Sequence, residues 1–177
     1  GWHERNGGNL TYRLKKEEVS SFKEELNYDG PWEAIGTEVP ALAGEYFITT
    51  GSGKYFRNVW DYPIQSCGIC LIDETGTRYK KVWGLTGGAI PTSEFPSHLM
   101  NHEVKKLAND KYRVIYHCHP ANIIALTFVL PLDDKVFTRQ LWEMATECPV
   151  VFPDGIGVVG WMVPGGREIA VETSKRM

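Results

Sequence analysis

The sequence predicts a layered α/β/α domain around a central sheet that is largely antiparallel or mixed. Short alternating or continuous apolar runs read as strands, helix-length stretches separate some of them, and at least one strand pair is joined by a tight turn. Hairpins mixed with strand-to-helix steps argue against a doubly wound parallel sheet, in which every connection is a crossover. With 177 residues, 42% of them hydrophobic and 12% aromatic, the chain suffices for one sizeable core. No repeat, low-complexity tract or long linker divides it, so residues 1–177 read as a single domain.

The first strand is expected over residues 7–14, where a glycine turn leads into alternating apolar and polar residues. The charged stretch 15–26 follows as a short surface helix, and a loop surrounds Pro31 and Pro40. Residues 45–50 form a strand that runs into the Thr50-Gly-Ser-Gly-Lys54 turn. A hairpin comes next, pairing 68–73 with 78–83 around Glu74-Thr-Gly-Thr77. Pro91-Thr-Ser-Glu94 opens a helix to about residue 108, with Thr92 or Ser93 as its cap. The run 113–119 is a strand stopped by Pro120. Helices are expected over 122–130 and 137–143, and a last one is entered at 171–177.

Nineteen basic against 22 acidic residues give a net charge of −3, which provides no broad field for nucleic acid or an anionic membrane. No run approaches the roughly 20 apolar residues that span a bilayer, and the first residues lack the order of a signal peptide, so a cytoplasmic location is expected. The chain opens without Met and closes in a helical run, which reads as a fragment. Cys67 and Cys70 form a C-x-x-C, but they lie in an apolar strand with no second such pair; buried thiols are the expectation.

His117 and His119, two apart on a predicted strand, leave it on the same face, close enough for their rings to share an ion. Zinc takes imidazole readily, and a catalytic site needs three protein ligands with one position open. The same spacing also suits two strand-end histidines satisfied by hydrogen bonds or solvent. His98 and His102 have the i,i+4 spacing of a metalloprotease helix but lack the glutamate after the first histidine, and are read as structural. Glu94, in the first turn of its helix, is either a dipole-complementing cap or a general acid/base. The glycine turns at Asn6-Gly-Gly-Asn9 and Thr50-Gly-Ser-Gly53 are either ordinary turns or, with Thr92-Ser93, neutral donors around a phosphate. Neither matches the spacing of a nucleotide-binding loop.

Taken together these segments resemble the class II aldolase and adducin superfamily: a G-N turn near the start, a T-G or S-G turn, a small-polar pair followed by Glu, and H-x-H on a strand, in that order. The match is closest to its L-rhamnulose 1-phosphate branch, carried by Glu4-Arg-Asn-Gly-Gly-Asn-Leu10, Thr50-Gly-Ser-Gly-Lys54, Trp83-Gly-Leu-Thr86, Pro91-Thr-Ser-Glu94, His117-Cys-His119, Phe137-Thr-Arg-Gln-Leu-Trp-Glu143, Thr146-Glu-Cys148 and Val151-Phe-Pro-Asp-Gly155.

The resemblance implies that His117 and His119 are zinc ligands and Glu94 the catalytic acid/base. Asn6, Asn9, Ser52, Gly53, Thr92 and Ser93 would bind the phosphate and the dihydroxyacetone portion. Glu147 would serve a neighbouring subunit by protonating the aldehyde oxygen. The implied activity is reversible cleavage of L-rhamnulose 1-phosphate to dihydroxyacetone phosphate and L-lactaldehyde by a homotetramer. Its third zinc histidine is expected beyond residue 177, and the family's first residues before residue 1. A sugar-phosphate 4-epimerase of the same superfamily and a non-catalytic, adducin-like module are the alternatives. Burial near zinc is expected to raise the pKa of Glu94 toward working pH.

Overall fold

In the computed structural model, which describes residues 5–177, six strands form one sheet in the order β2-β5-β4-β3-β1-β6. They are β1 (Asn9–Arg13), β2 (Glu33–Ala34), β3 (Tyr46–Thr50), β4 (Cys67–Ile72), β5 (Arg78–Gly84) and β6 (Val114–His117). Every neighbouring pair is antiparallel, so the sheet takes the antiparallel form of the expected fold. The hairpin β4–β5 turns on Asp73, whose Oδ1 accepts from the amides of Thr77 at 2.9 Å and Arg78 at 3.1 Å.

Alternation along the strands gives the sheet two apolar faces. On one, Phe47, Cys70, Ile72 and Tyr79 pack with Phe95 and Leu99 of α3 (Phe95–Ala108), roofed by Val39 and Leu42. On the other, Ile69 and Val82 pack with Leu14, Val19 and Leu26. Full burial of such side chains stabilises by about 1.5–3 kcal/mol each, before ordering costs. The layers are therefore helix, sheet, helix. α7 (Arg167–Ser174) packs outside α3.

Several boundaries differ from expectation. The stretch 15–26 breaks into α1 (Lys16–Ser20) and a 3-10 turn at Lys23–Glu25. Ser20 and Ser21 donate their hydroxyls to the carbonyls of Lys16 and Glu18, the local bonding by which serine competes with a continuing helix. β2, only two residues long, lies in the loop between the two prolines and pairs with the edge of β5. β6 ends at His117 because its partner β1 begins at Asn9, opposite it, leaving His119 beyond the ladder. Short α2 (Pro63–Ser66) precedes β4, and α4 (Ala121–Leu126) is shorter than predicted. α5 (Asp134–Met144) starts earlier, since Asp133 caps the amides of Lys135 and Val136. α6 (Cys148–Val151) is a single turn. At the start of α3 the cap is Glu94, not Thr92 or Ser93, and its side chain makes no capping bond. Among the described residues no helix is long and apolar enough to cross a membrane.

Candidate active site

β6 and α3 bring the principal predicted residues together. His117 is the last residue of β6, and its Nδ1 lies 2.9 Å from Oε2 of Glu94, the residue that caps α3. The ring of His119 sits edge-on to that of His117, centroids 4.8 Å apart. A shared face for the two rings requires one continuous strand through His119. The strand stops at His117, yet the chain still carries His119 back beside it. Asn9, opposite His117 in the ladder, places its Nδ2 3.3 Å from the same ring nitrogen, while its Oδ1 is buried without a hydrogen-bond partner.

The acidity of Glu94 runs opposite to expectation. The hydrogen bond from His117 lowers its pKa below the usual glutamate value, and this outweighs the desolvation that raises it; Asn9 donates in the same sense as His117. Glu94 is thus a carboxylate at neutral pH, suited to accept a proton.

The second glycine turn meets the start of α3. Gly51 bridges Pro91, the Ser52 amide donates to the carbonyl of Ile90 at 2.9 Å, and the Thr92 amide donates to that of Thr50 at 2.9 Å. Ser52 therefore has only its exposed hydroxyl to offer. Gly53, at φ 67°, and Ser93 are exposed, and their amides have no hydrogen-bond partner among the described residues. Thr92 is buried, and its Oγ1 accepts from the Glu94 amide at 3.4 Å. The second glycine turn and the start of α3 therefore run side by side through residues 50–52 and 90–92.

Along the inner face, His98 and His102 are buried and share Thr11, whose Oγ1 lies 2.9 Å from Nδ1 of His98 and 2.8 Å from Nε2 of His102. Burial depresses their pKa values to about 4 and about 3, so both rings are neutral at pH 7. Thr11 carries no motif. The alternation along β1 that puts it on the face of Asn9 is the signal that points to it.

Other predicted residues lie apart. Asn6 is exposed in the turn before β1. Glu147 is exposed as the first residue before α6, and the ion pair of Glu94 is with His117. Cys67 and Cys70 are buried, unpaired thiols whose pKa values burial raises. Among the described residues no group of three His, Cys, Asp or Glu side chains is gathered as a metal site. What the structure provides is two adjacent imidazoles. A carboxylate at Nδ1 of His117 favours a proton there and leaves Nε2 as the nitrogen with an open lone pair, an arrangement that fits a histidine metal ligand.

The chain is 52% identical to the rhamnulose-1-phosphate aldolase of Mannheimia succiniciproducens and 50% identical to that of Shigella boydii. Each alignment takes in all of this chain and 65% of the relative, so the chain spans just under two thirds of their length. A crystal structure of a sugar-phosphate aldolase from Thermotoga maritima superposes with a TM-score of 0.80 at 26% identity, covering 99% of this chain and 70% of that one. The family model described as the class II aldolase and adducin N-terminal domain matches residues 1–177. With that match running over all of residues 1–177, the chain belongs to the class II aldolase and adducin family.

Proposed function

We propose that the protein is a zinc-dependent aldolase that reversibly cleaves L-rhamnulose 1-phosphate to dihydroxyacetone phosphate and L-lactaldehyde. The observation that carries this reading is the meeting of Glu94 with His117 at 2.9 Å beside the ring of His119. The name that the relatives share supports the choice of substrate.

His117 and His119 would hold the metal, and the third ligand is proposed to lie beyond residue 177, in keeping with the greater length of the relatives. When bound, zinc supplies Lewis-acid stabilisation of the negative charge that develops on the substrate as the carbon–carbon bond breaks. Glu94 moves the proton: in synthesis it takes one from C3 of dihydroxyacetone phosphate, and in cleavage it returns it. Being ionised at neutral pH, it is in the form that the first role requires. The Gly53 and Ser93 amides, the Ser52 and Ser93 hydroxyls and the Asn6 side chain offer neutral donors to the phosphate, which fixes the reacting carbon by its far end. Asn9 presents an unpartnered acceptor to a hydroxyl of the dihydroxyacetone portion. Thr92 braces the start of α3, its Oγ1 accepting from the Glu94 amide.

Glu147 is proposed to act in a neighbouring subunit by protonating the aldehyde oxygen. A homotetramer in the cytoplasm is the proposed working form. Large apolar side chains left exposed, among them Trp60, Phe128, Val129, Val150 and Trp161, support burial of more surface in a larger assembly.

The test is release of dihydroxyacetone phosphate from L-rhamnulose 1-phosphate by the full-length protein, with and without a chelator. Chelator-sensitive release supports the reading. A zinc-loaded protein that releases none overturns it.

A further inference from the structure

The face of β1 that meets α3 is polar where an apolar contact would be the ordinary solution. Asn9, Thr11 and Arg13 alternate on that face and are all buried, while α3 brings Glu94, His98 and His102 to it on successive turns. Asn9 reaches Glu94 and His117, and Thr11 reaches both His98 and His102. The apolar residues of the same helix, Phe95 and Leu99, turn to the core over β3, β4 and β5. Apolar packing is non-directional and tolerates small slides, whereas a hydroxyl held by two ring nitrogens is not satisfied after one.

We propose that Thr11 is a positioning residue: its hydroxyl, clamped between His98 and His102, pins α3 to β1 in the register that holds Glu94 against His117, and fixes the proton of His98 on Nε2. The functional half of this rests on the assignment of Glu94 as the acid/base.

The tautomer follows from counting protons. The hydroxyl has one proton, so it donates to one ring and accepts from the other. Nδ1 of His102 is buried with no partner. If Thr11 donated to His102, that Nδ1 would carry a buried N–H with no acceptor, which is rarer in folded proteins than a bare acceptor. The favoured chain therefore runs from Nε2–H of His102 to the Thr11 oxygen, and from the Thr11 hydroxyl to Nδ1 of His98. His98 keeps its own proton on Nε2. Glu94 and His117 are close enough to act on that ring electrostatically, so the seam and the site share one electrostatic environment.

The experiment uses the full-length, metal-loaded enzyme with Thr11→Val and Thr11→Ser, and a histidine 15N spectrum of the wild type. Thr11→Val should lower kcat by about 10- to 100-fold with KM changed less than about threefold, and Thr11→Ser should restore most of kcat. A folded Thr11→Val with wild-type kcat, or a Thr11→Ser no better than Thr11→Val, overturns the positioning role. Should Thr11→Val not fold, Thr11→Cys, which keeps the volume with a weak donor, takes its place under the same criteria. In the spectrum, a proton on Nε2 of His98 is expected and one on Nδ1 overturns the clamp. A wild type that releases no dihydroxyacetone phosphate, with the spectrum as expected, overturns the aldolase reading and with it the positioning role, while upholding the clamp.

Discussion

Oε2 of Glu94 and Nδ1 of His117 stand 2.9 Å apart, joining the cap of α3 to the last residue of β6. The contact does two things at once. It holds Glu94 as a carboxylate, and it orients the imidazole with Nε2 outward. Glu94→Gln keeps the shape and removes the base, so dihydroxyacetone phosphate release should fall by about 10²- to 10⁴-fold. Both side chains are partly exposed, so thermal stability should barely change. A Glu94→Gln enzyme with near wild-type turnover would remove Glu94 from the mechanism.

Metal retention should depend on the two rings at the end of β6. In the full-length protein, His117→Ala and His119→Ala should each weaken zinc by more than the roughly 10- to 100-fold typical of losing a second-shell partner. Zinc content after dialysis against a graded chelator measures this. Equal retention by wild type and both variants would mean that the metal sits elsewhere.

Gly84 closes β5 at φ 69°, and a Cβ there would stand 2.3 Å from the carbonyl oxygen of Cys67 and 2.9 Å from Cα of Gly68. Gly84→Ala should therefore cost about 2–4 kcal/mol, combining backbone strain with a clash against the neighbouring strand. Gly36 also has positive φ, at 87°, but open space around it, so Gly36→Ala should cost only about 1 kcal/mol. Urea unfolding of the two variants separates strain from clash. Equal losses would show that the clash is relieved by a backbone shift.

Burial holds the folded pKa of His98 at about 4 and of His102 at about 3, against 6.5 for an ordinary histidine. Between these values and 6.5 the unfolded chain binds protons that the folded one refuses. The stability held above pH 6.5 is therefore lost progressively as pH falls through this window, and the loss levels off only below the folded values. Each histidine should change the folded-to-unfolded ratio by about tenfold per pH unit there. Denaturant midpoints at pH 7, 6 and 5 test the slope. His102→Gln, which keeps a donor for Thr11, should remove one proton from it, and an unchanged slope would show that His102 is not the titrating group.

The strands and the long helix were legible because their signals are local: alternation at 7–14, the Glu74-Thr-Gly-Thr77 turn, the Pro91-Thr-Ser-Glu94 start. Boundaries were less so where a partner decides them. β6 stops at His117 because β1 begins at Asn9, the residue paired with it, and nothing in His117-Cys-His119 announces that.

By itself the sequence determined which groups are available for chemistry: two imidazoles two residues apart, a carboxylate at a helix start, small polar residues in glycine turns. Their order along the chain carried the resemblance to the family. Only the tertiary structure decided how they meet. The 2.9 Å contact that lowers the pKa of Glu94, against the rise that burial alone implied, depends on where α3 lies across the sheet. So does the bridging of His98 and His102 by Thr11, a residue with no motif to mark it. Electrostatic and hydrogen-bond energies depend on separations of a few ångströms between residues distant in sequence, and those separations are set by packing.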